Sequence, residues 1–324
     1  MKFSARLAQQ NYLATQQSGL DPRIHTSFDH LKSLQPRVRK LNFLPRQKSK
    51  SILAGRHASR IRGRGLSFEE LRDYRVGDDI RTIDWRVTAR TGKPHVRVYA
   101  EEKDRSAILI VDQRVNMFFG SQHNVKSVSA SEAAAICAYA IFEQGDRVGA
   151  VIFNDDEVRS FRPSKRPQML EQIVHDISDM NLALHCEIET PATRMSLNRP
   201  LEEATRLVQH DQLIIVISDF DEIDHNTEHY LDQMAAHNDV ILVVVNDPLS
   251  RNLPPNMQFP VSDGKHQMTL DTAHPHVHQQ LQNAFTQRLA TIYSWQDKLN
   301  TTVLELQTSR NTLDQFVEAF AVLK

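Results

Sequence analysis

The chain has 324 residues, of which 40% are hydrophobic and 24% charged, and its formal net charge is −1. This composition is typical of a folded globular protein, and the length allows one large domain and a smaller one. The longest apolar runs, such as 241–245, are far shorter than the roughly 20 residues that a membrane-spanning helix needs. The N-terminus lacks the apolar stretch of a signal peptide, so we expect a cytoplasmic protein without a membrane span.

Residues 1–50 are interpreted as a basic N-terminal arm. Residues 1–65 carry fourteen lysines and arginines against two aspartates, a net charge of +12, which leaves −13 for the rest of the chain. Apolar side chains at spacings of three and four predict a helix kinked at Pro36, namely Phe28, Leu31, Leu34, Val38 and Leu41. We expect this arm to dock on the acidic body or an acidic partner and to be dispensable for folding. Nucleic-acid binding is the weaker alternative because aromatic residues are sparse.

Residues 51–105 are predicted to form a small charged subdomain that contains β-structure. The basic, glycine-punctuated segment 45–65 indicates loops, and the alternation at 95–99 indicates a half-exposed strand. Between them, three acids alternate with five arginines: Asp78, Asp79 and Asp84 with Arg72, Arg75, Arg81, Arg86 and Arg90. Paired carboxylates can serve acid/base catalysis, but an adjacent guanidinium keeps a carboxylate ionised, which favours a structural ion-pair lattice. Trp85 is expected to be buried and to anchor this subdomain.

Residues 106–324 alternate apolar strands with helices. The predicted strands are 107–111, 147–153, 213–217, 239–245 and 302–306, with a short antiparallel partner at 157–161 and a hairpin at 261–270. The predicted helices are 126–143, 168–180, 200–209, 276–299 and 312–322. Continuous Val/Ile/Leu strands separated by helices indicate a mostly parallel sheet covered on both faces. The sequence therefore predicts a three-layer α/β, Rossmann-like body.

The ends of the predicted strands carry the polar residues that matter most. Asp112, Asp219 and Asn246 follow strands, where ligands bind in parallel sheets. Hydroxyls two and four residues after Asp112 would complete an oxygen cage for Mg²⁺, but Arg114 and Asn116 stand there. Arginine has no acceptor and repels a metal, whereas its guanidinium can bridge two carboxylates. We therefore predict a site without metal, in which Arg114 lies between Asp112 and Asp219.

Other candidate sites are weaker. The segment 120–127 has the lysine and serine of a phosphate loop but Val125 in place of a required glycine. His274, His276 and His278 flank Pro275, which favours an ordinary helix start over a metal site. No acyl-transfer nucleophile motif is visible. We expect no catalytic residue, no cofactor and no enzymatic activity.

The chain resembles the bacterial family catalogued as domain of unknown function 58. The resemblance rests on ordered blocks at 55–59, 63–72, 77–85 and 89–92 and continues through Asp112, Lys126 and Asp219. The family motif includes Arg72, Tyr74, Gly77, Asp78, Asp79, Arg81, Asp84, Trp85 and Arg90. The resemblance implies a von Willebrand factor A-like body and a partnership with a MoxR-type AAA+ ATPase. It implies no established enzymatic activity.

The resemblance also sharpens the interpretation of the strand ends. Many A-type domains bind partners through a metal-ion-dependent adhesion site that begins with Asp-x-Ser-x-Ser. Here Asp112 and Asp219 match that site, Arg114 and Asn116 depart from it, and Thr193, Met195 and Ser196 offer no clear equivalent of its threonine. The leading prediction is a cytoplasmic, non-enzymatic adaptor that works with the ATPase in assembly or maturation of client proteins. A Mg²⁺-dependent protein-binding domain and a nucleic-acid-binding arm remain the alternatives.

Overall fold

The computed structural model describes residues 20–38, 66–101, 105–185, 195–251, 254, 258–262, 267–272 and 275–322. Contacts divide the chain into two compact units. Unit one comprises Met1–Leu44 and Arg105–Lys324, and unit two comprises Pro45–Asp104.

The elements of the described residues, in chain order, are as follows. The helices are α1 (Phe28–Ser33), α2 (Gln35–Val38), α3 (Trp85–Thr91), α4 (Lys126–Glu143), α5 (Pro167–Leu182), α6 (Asn198–Leu207), α7 (His225–Ala235), α8 (Pro248–Arg251), α9 (Pro275–Leu299) and α10 (Thr312–Val322). The strands are β1 (Leu66–Asp73), β2 (His95–Glu101), β3 (Ser106–Asp112), β4 (Arg147–Phe153), β5 (Val158–Ser164), β6 (Leu213–Ser218), β7 (Asp239–Asn246), β8 (Gln258–Ser262), β9 (Gln267–Asp271) and β10 (Thr302–Gln307).

Unit one is built on a six-stranded sheet with the order β10-β7-β6-β3-β4-β5. All neighbouring strands are parallel except β4 and β5, which are antiparallel. Parallel neighbours need long crossovers, and helices supply most of them here. The prediction of a mostly parallel, Rossmann-like α/β sheet is confirmed.

The sheet separates two hydrophobic cores, and the side chains of β3 alternate between them. Leu109 and Val111 contribute to the core beneath α4 and α5, while Ile108 and Ile110 contribute to the core beneath α6, α7 and α9. All four side chains are fully buried. This continuous apolar strand is therefore explained by helices on both faces of the sheet.

Helix α4 is the most deeply packed helix of the described residues. Sixteen of its eighteen residues are buried, which requires neighbours on every side, and it contacts the sheet as well as α1, α2, α5 and α10. Its many alanines allow these close approaches: Ala130, Ala133, Ala134, Ala135, Ala138 and Ala140. Among the described residues, no helix is both long and apolar enough to cross a bilayer.

The described part of the N-terminal arm belongs to the core of unit one, which argues against an arm that is dispensable for folding. Leu31, Leu34 and Val38 are buried in the same core as α4 and α5. The predicted helix is split into α1 and α2 around Leu34, next to Pro36. The three apolar side chains all face the body because they recur at helical spacing. Leu41 and the remainder of the arm's first 50 residues, 1–19 and 39–50, lie outside the described residues.

Buried polar contacts also tie the arm to the body. His30 Nε2 lies 2.7 Å from Glu132 Oε1 on α4, and the Thr26 amide donates to Asn181 Oδ1 on α5 at 2.7 Å. Asn181 in turn donates to Gln113 Oε1 at 3.1 Å, directly after β3. The arm is thus connected by hydrogen bonds to the strand end that carries Asp112.

Unit two contains the antiparallel pair β1–β2 and the short helix α3 between them. Asp84 caps α3 by accepting hydrogen bonds from the amides of Arg86 and Val87 at 3.0 and 3.1 Å. Gly92 ends the helix at φ 74°, a left-handed conformation that favours glycine. The predicted strand at 95–99 is confirmed, whereas the motif blocks at 55–59 and 63–65 lie outside the described residues.

Four elements were not predicted, namely β1, α3, α7 and α8. Helix α7 begins with a capping box between Asp224 and Thr227, and threonine is not the glutamate or glutamine that signals this motif in a sequence. The predicted hairpin is confirmed by the antiparallel pair β8–β9. Its predicted turn at 263–264 lies outside the described residues.

Candidate functional site

The candidate site lies in unit one, at the carboxyl edge of the sheet. Strands β3 and β6 are parallel neighbours, so the residues that follow them meet at one edge. Asp112 ends β3 and Asp219 directly follows β6. Both carboxylates are almost completely buried, with 0% and 1% of their residues exposed, so each charge needs a nearby partner.

Arg114 pairs with Asp112. Its Nη2 and Nε lie 2.7 Å and 3.0 Å from the two carboxylate oxygens, and its own amide donates to the same Asp112 Oδ1. Nη1 donates to the carbonyl of Met195 at 3.0 Å, and the Ser218 hydroxyl donates to Asp112 Oδ2 at 2.7 Å. Burial opposes the charge of Arg114, but Asp112 raises the pKa of Arg114 above its usual value. This is a fully hydrogen-bonded, bidentate ion pair.

Lys126 pairs with Asp219. Its Nζ lies 2.5 Å from Asp219 Oδ2, while the amide group of Asn116 donates to Asp219 Oδ1 at 3.0 Å. Burial acts to raise the pKa of Asp219, but the charges of Lys126, Arg288 and Arg114 hold that pKa below its usual value. The carboxylate is therefore ionised and compensated by cations of the protein.

Arg114 was predicted to lie between the two aspartates and bridge them, but it forms no hydrogen bond to Asp219 among the described contacts. The structure brings Asp112, Arg114, Asn116 and Asp219 together. Of the two aspartates, however, Arg114 hydrogen-bonds only Asp112, and Lys126 provides the cation for Asp219. Lys126 is the first residue of α4, which runs beside β3. The sequence pattern placed Lys126 in a degenerate phosphate loop, so its pairing with a distant aspartate was missed.

Further charged groups lie next to the Arg114–Asp112 and Lys126–Asp219 ion pairs. Arg288 on α9 lies 2.8 Å from Asp221 through its Nη1, and the amide of Val115 donates to Asp155 Oδ2 at 2.6 Å. Within the described residues, three buried atoms at this edge lack a hydrogen-bond partner, namely Asn116 Oδ1, Arg288 Nε and Asn246 Oδ1.

The loop beside the site is fixed by Asp247, which follows β7. Asp247 accepts hydrogen bonds from the Ser121 hydroxyl and amide and from the Thr308 hydroxyl, at 2.6 to 2.8 Å. Burial acts to raise the pKa of Asp247, but these hydrogen bonds lower it overall. Asn246, predicted to belong to the site, instead donates to Glu305 on β10 at 3.1 Å. The segment 120–127 is therefore built around a carboxylate, which disfavours the phosphate-loop interpretation.

In unit two, the acids of the family motif organise the backbone. Asp78 accepts two hydrogen bonds from Arg72, each of 2.8 Å, and Asp84 pairs with Arg97 at 2.8 Å besides capping α3. Hydrogen bonds from Arg72 lower the pKa of Asp78, and those from the Val87 amide and Arg97 lower that of Asp84. The predicted ion-pair lattice is therefore confirmed only for Asp78 with Arg72. Among the described residues, the other four expected arginines form no ion pair with these acids, and Asp84 pairs instead with Arg97, which was not expected to take part.

Other motif residues occupy turns or the surface. Asp79 caps the 3₁₀ helix Ile80–Thr82 through the Arg81 amide, and Gly77 turns at φ 107°. The backbone amide of Tyr74 donates to Pro94 at 2.9 Å, and Arg81 and Arg90 are exposed. The prediction that Trp85 is buried is wrong, because 68% of this residue is exposed.

The remaining candidate groups behave as ordinary structure. Pro275 opens α9, so His276 and His278 lie in the start of a helix, while Thr193 and His274 lie outside the described residues. Cys137 is a free, buried thiol whose burial raises its pKa to about 12. Among the described residues, one group has metal-ligand spacing, His175 with Asp176 and Asp179 on α5. Its Asp176 is already paired with Arg159 at 3.4 Å.

A sequence profile of the family described as protein of unknown function DUF58 matches residues 70–291. Uncharacterized proteins of Mycobacterium tuberculosis and Mycobacterium bovis are 31% identical over 218 residues, which is 67% of this chain and 66% of theirs. The matched segment is thus slightly less than two thirds of those relatives.

Two solved structures align more distantly. The conserved hypothetical protein BatB of Bacteroides thetaiotaomicron aligns with a TM-score of 0.38 and 10% identity, over 67% of this chain and 99% of that one. An uncharacterized membrane spanning protein of Vibrio fischeri aligns with a TM-score of 0.21 and 13% identity, over 68% of this chain and 100% of that one.

Proposed function

The chain belongs to the DUF58 family, as the sequence motifs indicated, and on that premise we propose that it is a non-enzymatic, cytoplasmic adaptor. Its body would bind protein partners at the carboxyl edge of the six-stranded sheet. The partner implied by the family resemblance is a MoxR-type AAA+ ATPase, with client proteins assembled or matured by the pair.

The proposal assigns unit one to the von Willebrand factor A type. Three features support this assignment: β3 lies inside the sheet, the antiparallel strand β5 forms one edge, and helices cover both faces. Asp112 and Asp219 stand at the two strand ends where the resemblance expects the adhesion site of such a domain. The site is degenerate because Arg114 and Asn116 replace its hydroxyls.

The observation that carries the proposal is that both strand-end aspartates already have a cation from the protein. Arg114 and Lys126 neutralise Asp112 and Asp219, and a buried, ionised and fully paired carboxylate is poorly suited to proton transfer. A metal ion would have to displace two buried side chains. A partner at this edge would instead meet hydrogen-bonding groups and the exposed Phe119, whose carbonyl accepts from the Lys126 amide at 2.8 Å.

The test is binding of the purified chain to the MoxR-type ATPase of the same organism, measured by biolayer interferometry with and without ATP. We expect Phe119→Ala to weaken binding tenfold or more, because this ring is 43% exposed beside the site. The matched control is Val317→Ala on α10, an apolar residue of similar exposure, 41%. We expect the control to bind as the wild type does.

Chelation decides between this proposal and its main alternative. Binding should be unchanged by EDTA, since the two aspartates use side-chain cations. Binding that EDTA abolishes and Mg²⁺ restores, together with loss of that effect in Asp112→Ala, would establish a metal-dependent adhesion domain instead. No binding to the ATPase under any condition would refute the adaptor proposal.

A further inference from the structure

Unit two exposes three large apolar side chains in one stretch of ten residues, 76–85, which overlaps the family motif. Val76, Ile80 and Trp85 have 102%, 65% and 68% of their surface exposed. Single exposed apolar residues are common, but a concentration of them in one short segment is typical of an interaction site. Trp85 was expected to serve packing, but all three side chains are largely exposed.

The exposure of these side chains is a consequence of how the motif acids fix the backbone. Asp78 is held by Arg72 and by the Arg75 amide at 2.7 Å, and Asp79 caps the 3₁₀ helix that carries Ile80. Asp84 is buried, caps α3 and places Trp85 at the first position of that helix. The three carboxylates thus accept hydrogen bonds from backbone amides, while Val76, Ile80 and Trp85 between them are exposed to solvent.

The same segment carries unpaired positive charge. Arg75, Arg81, Arg86 and Arg90 are exposed, and no acidic side chain among the described residues lies within ion-pair distance of their guanidinium groups. Asp78 and Asp84 cannot neutralise them, because they are already engaged with Arg72 and Arg97. Asp79 is the one exposed acid among the three motif acids, against four exposed arginines. The surface formed by these arginines with Val76, Ile80 and Trp85, here called the motif surface, is therefore basic on balance as well as apolar.

We propose that the motif surface docks an acidic segment of another protein that carries apolar or aromatic side chains. Tryptophan and arginine are the residue types that dominate the binding energy of protein interfaces, and arginine matches carboxylates with a two-pronged hydrogen bond. Nucleic acid fits less well, because base stacking needs aromatic rings and two of the three apolar residues are aliphatic. This proposal goes beyond the adaptor proposal, since it concerns a different unit and does not involve the strand-end aspartates.

The test is isothermal titration calorimetry of the full chain with a random copolymer of glutamate and tyrosine. We expect this copolymer to bind at least tenfold more tightly than polyglutamate at the same ionic strength, because the latter offers charge alone. Trp85→Ala, and separately Arg81→Glu with Arg86→Glu, should each weaken binding tenfold or more. Leu182→Ala, a change at a residue 38% exposed on α5 of unit one, should leave binding unchanged.

Three kinds of result would overturn the proposal. The motif surface is not a docking site for acidic protein if the copolymer does not bind, or if Trp85→Ala and the double arginine variant bind it as the wild type does. An oligothymidylate that binds more tightly than the copolymer would assign the surface to nucleic acid. Sedimentation that shows self-association lost in Trp85→Ala would assign it to a second copy of this chain. Melting temperatures of all variants within the wild-type range would exclude misfolding as the cause of lost binding.

Discussion

Two regions of the molecule combine aspartates with basic residues, yet they differ in burial. One is the strand-end cluster of unit one, made of Asp112, Arg114, Lys126 and Asp219, and the other is the segment of unit two that carries the motif surface. In unit one, Asp112, Arg114 and Asp219 are at most 3% exposed, so acids and cations neutralise each other inside the protein. In unit two, the acids are used to fix the backbone, and Arg81 and Trp85 remain exposed. The same residue types thus build a closed charge network in one region and an open recognition surface in the other.

The difference has an energetic reason. A buried charge is costly unless a partner compensates it, so each member of the strand-end cluster is indispensable to the others. At the surface, water solvates each charge, so an ion pair contributes little to the free energy of unfolding. Mutations should therefore affect stability in the first region and binding in the second.

The largest effect is expected where one partner of a buried pair is removed. Lys126→Ala leaves Asp219 buried beside only the more distant cations, and loss of one partner from such a pair costs about 3–5 kcal/mol. Urea unfolding followed by circular dichroism measures the change. The double variant Lys126→Met with Asp219→Asn should recover most of the loss, because no unpaired charge remains. A cost below about 1 kcal/mol for Lys126→Ala would mean that the cluster is hydrated and open like the motif surface.

The arm should behave like the buried region and not like an exposed appendage. Leu31 is fully buried, and Leu→Ala at such a site costs about 2–5 kcal/mol. Ile24→Ala, at a residue 37% exposed, serves as the control with a much smaller effect. A chain that starts near Lys48 should melt well below the full chain, since it lacks α1 and α2. Equal melting of the two chains would restore the interpretation of a dispensable arm.

The contact between His30 and Glu132 should make the arm's contribution to the stability of the fold depend on pH. Burial lowers the pKa of His30, but the hydrogen bond and charge of Glu132 raise it overall, above the ordinary 6.5. Burial raises the pKa of Glu132, but His30 and Thr312 hold it below the ordinary 4.5. The stabilisation from His30 is present below pH 6.5 and lost as pH rises through the folded pKa. That from Glu132 is lost as pH falls below 4.5.

The melting temperatures of the wild type and His30→Gln test this dependence. The wild type should exceed the variant most between about pH 4.5 and 6.5, where both groups are charged. The difference should shrink on either side of this window. A difference that grows steadily above pH 7 would contradict the assigned direction of the histidine pKa.

The smallest effect on stability is expected at the motif surface. Trp85→Ala should change the free energy of unfolding by no more than about 0.5 kcal/mol, as is usual for exposed residues. The chain's other tryptophan is a matched control, because Trp295 is fully buried in the core beneath α9 and Trp295→Ala should cost about 3–5 kcal/mol. Comparable losses from the two variants would show that Trp85 packs against something in solution.

The candidate site could be predicted only in part from the sequence. Asp112 and Asp219 were found because each follows an apolar strand, and parallel strands bring their carboxyl ends to one edge. Arg114 was recognised as a cation near them because it is local to Asp112. The pairing of Lys126 with Asp219 spans 93 positions of the chain, and no local pattern records which distant acid a lysine will meet.

The sequence by itself determined the alternation of apolar strands and helices, because buried strands need continuous Val, Ile and Leu and surface helices need a periodic apolar stripe. The signals that end α3 are also local, since Asp84 and Gly92 flank it, although this helix was not predicted. Only the tertiary structure decided which polar and apolar residues are buried. Leu31 is covered because α4 and α5 lie next to it, whereas Trp85 is exposed because the motif acids turn the backbone outward. Burial depends on neighbours that are distant in the chain, so residue type alone does not fix it.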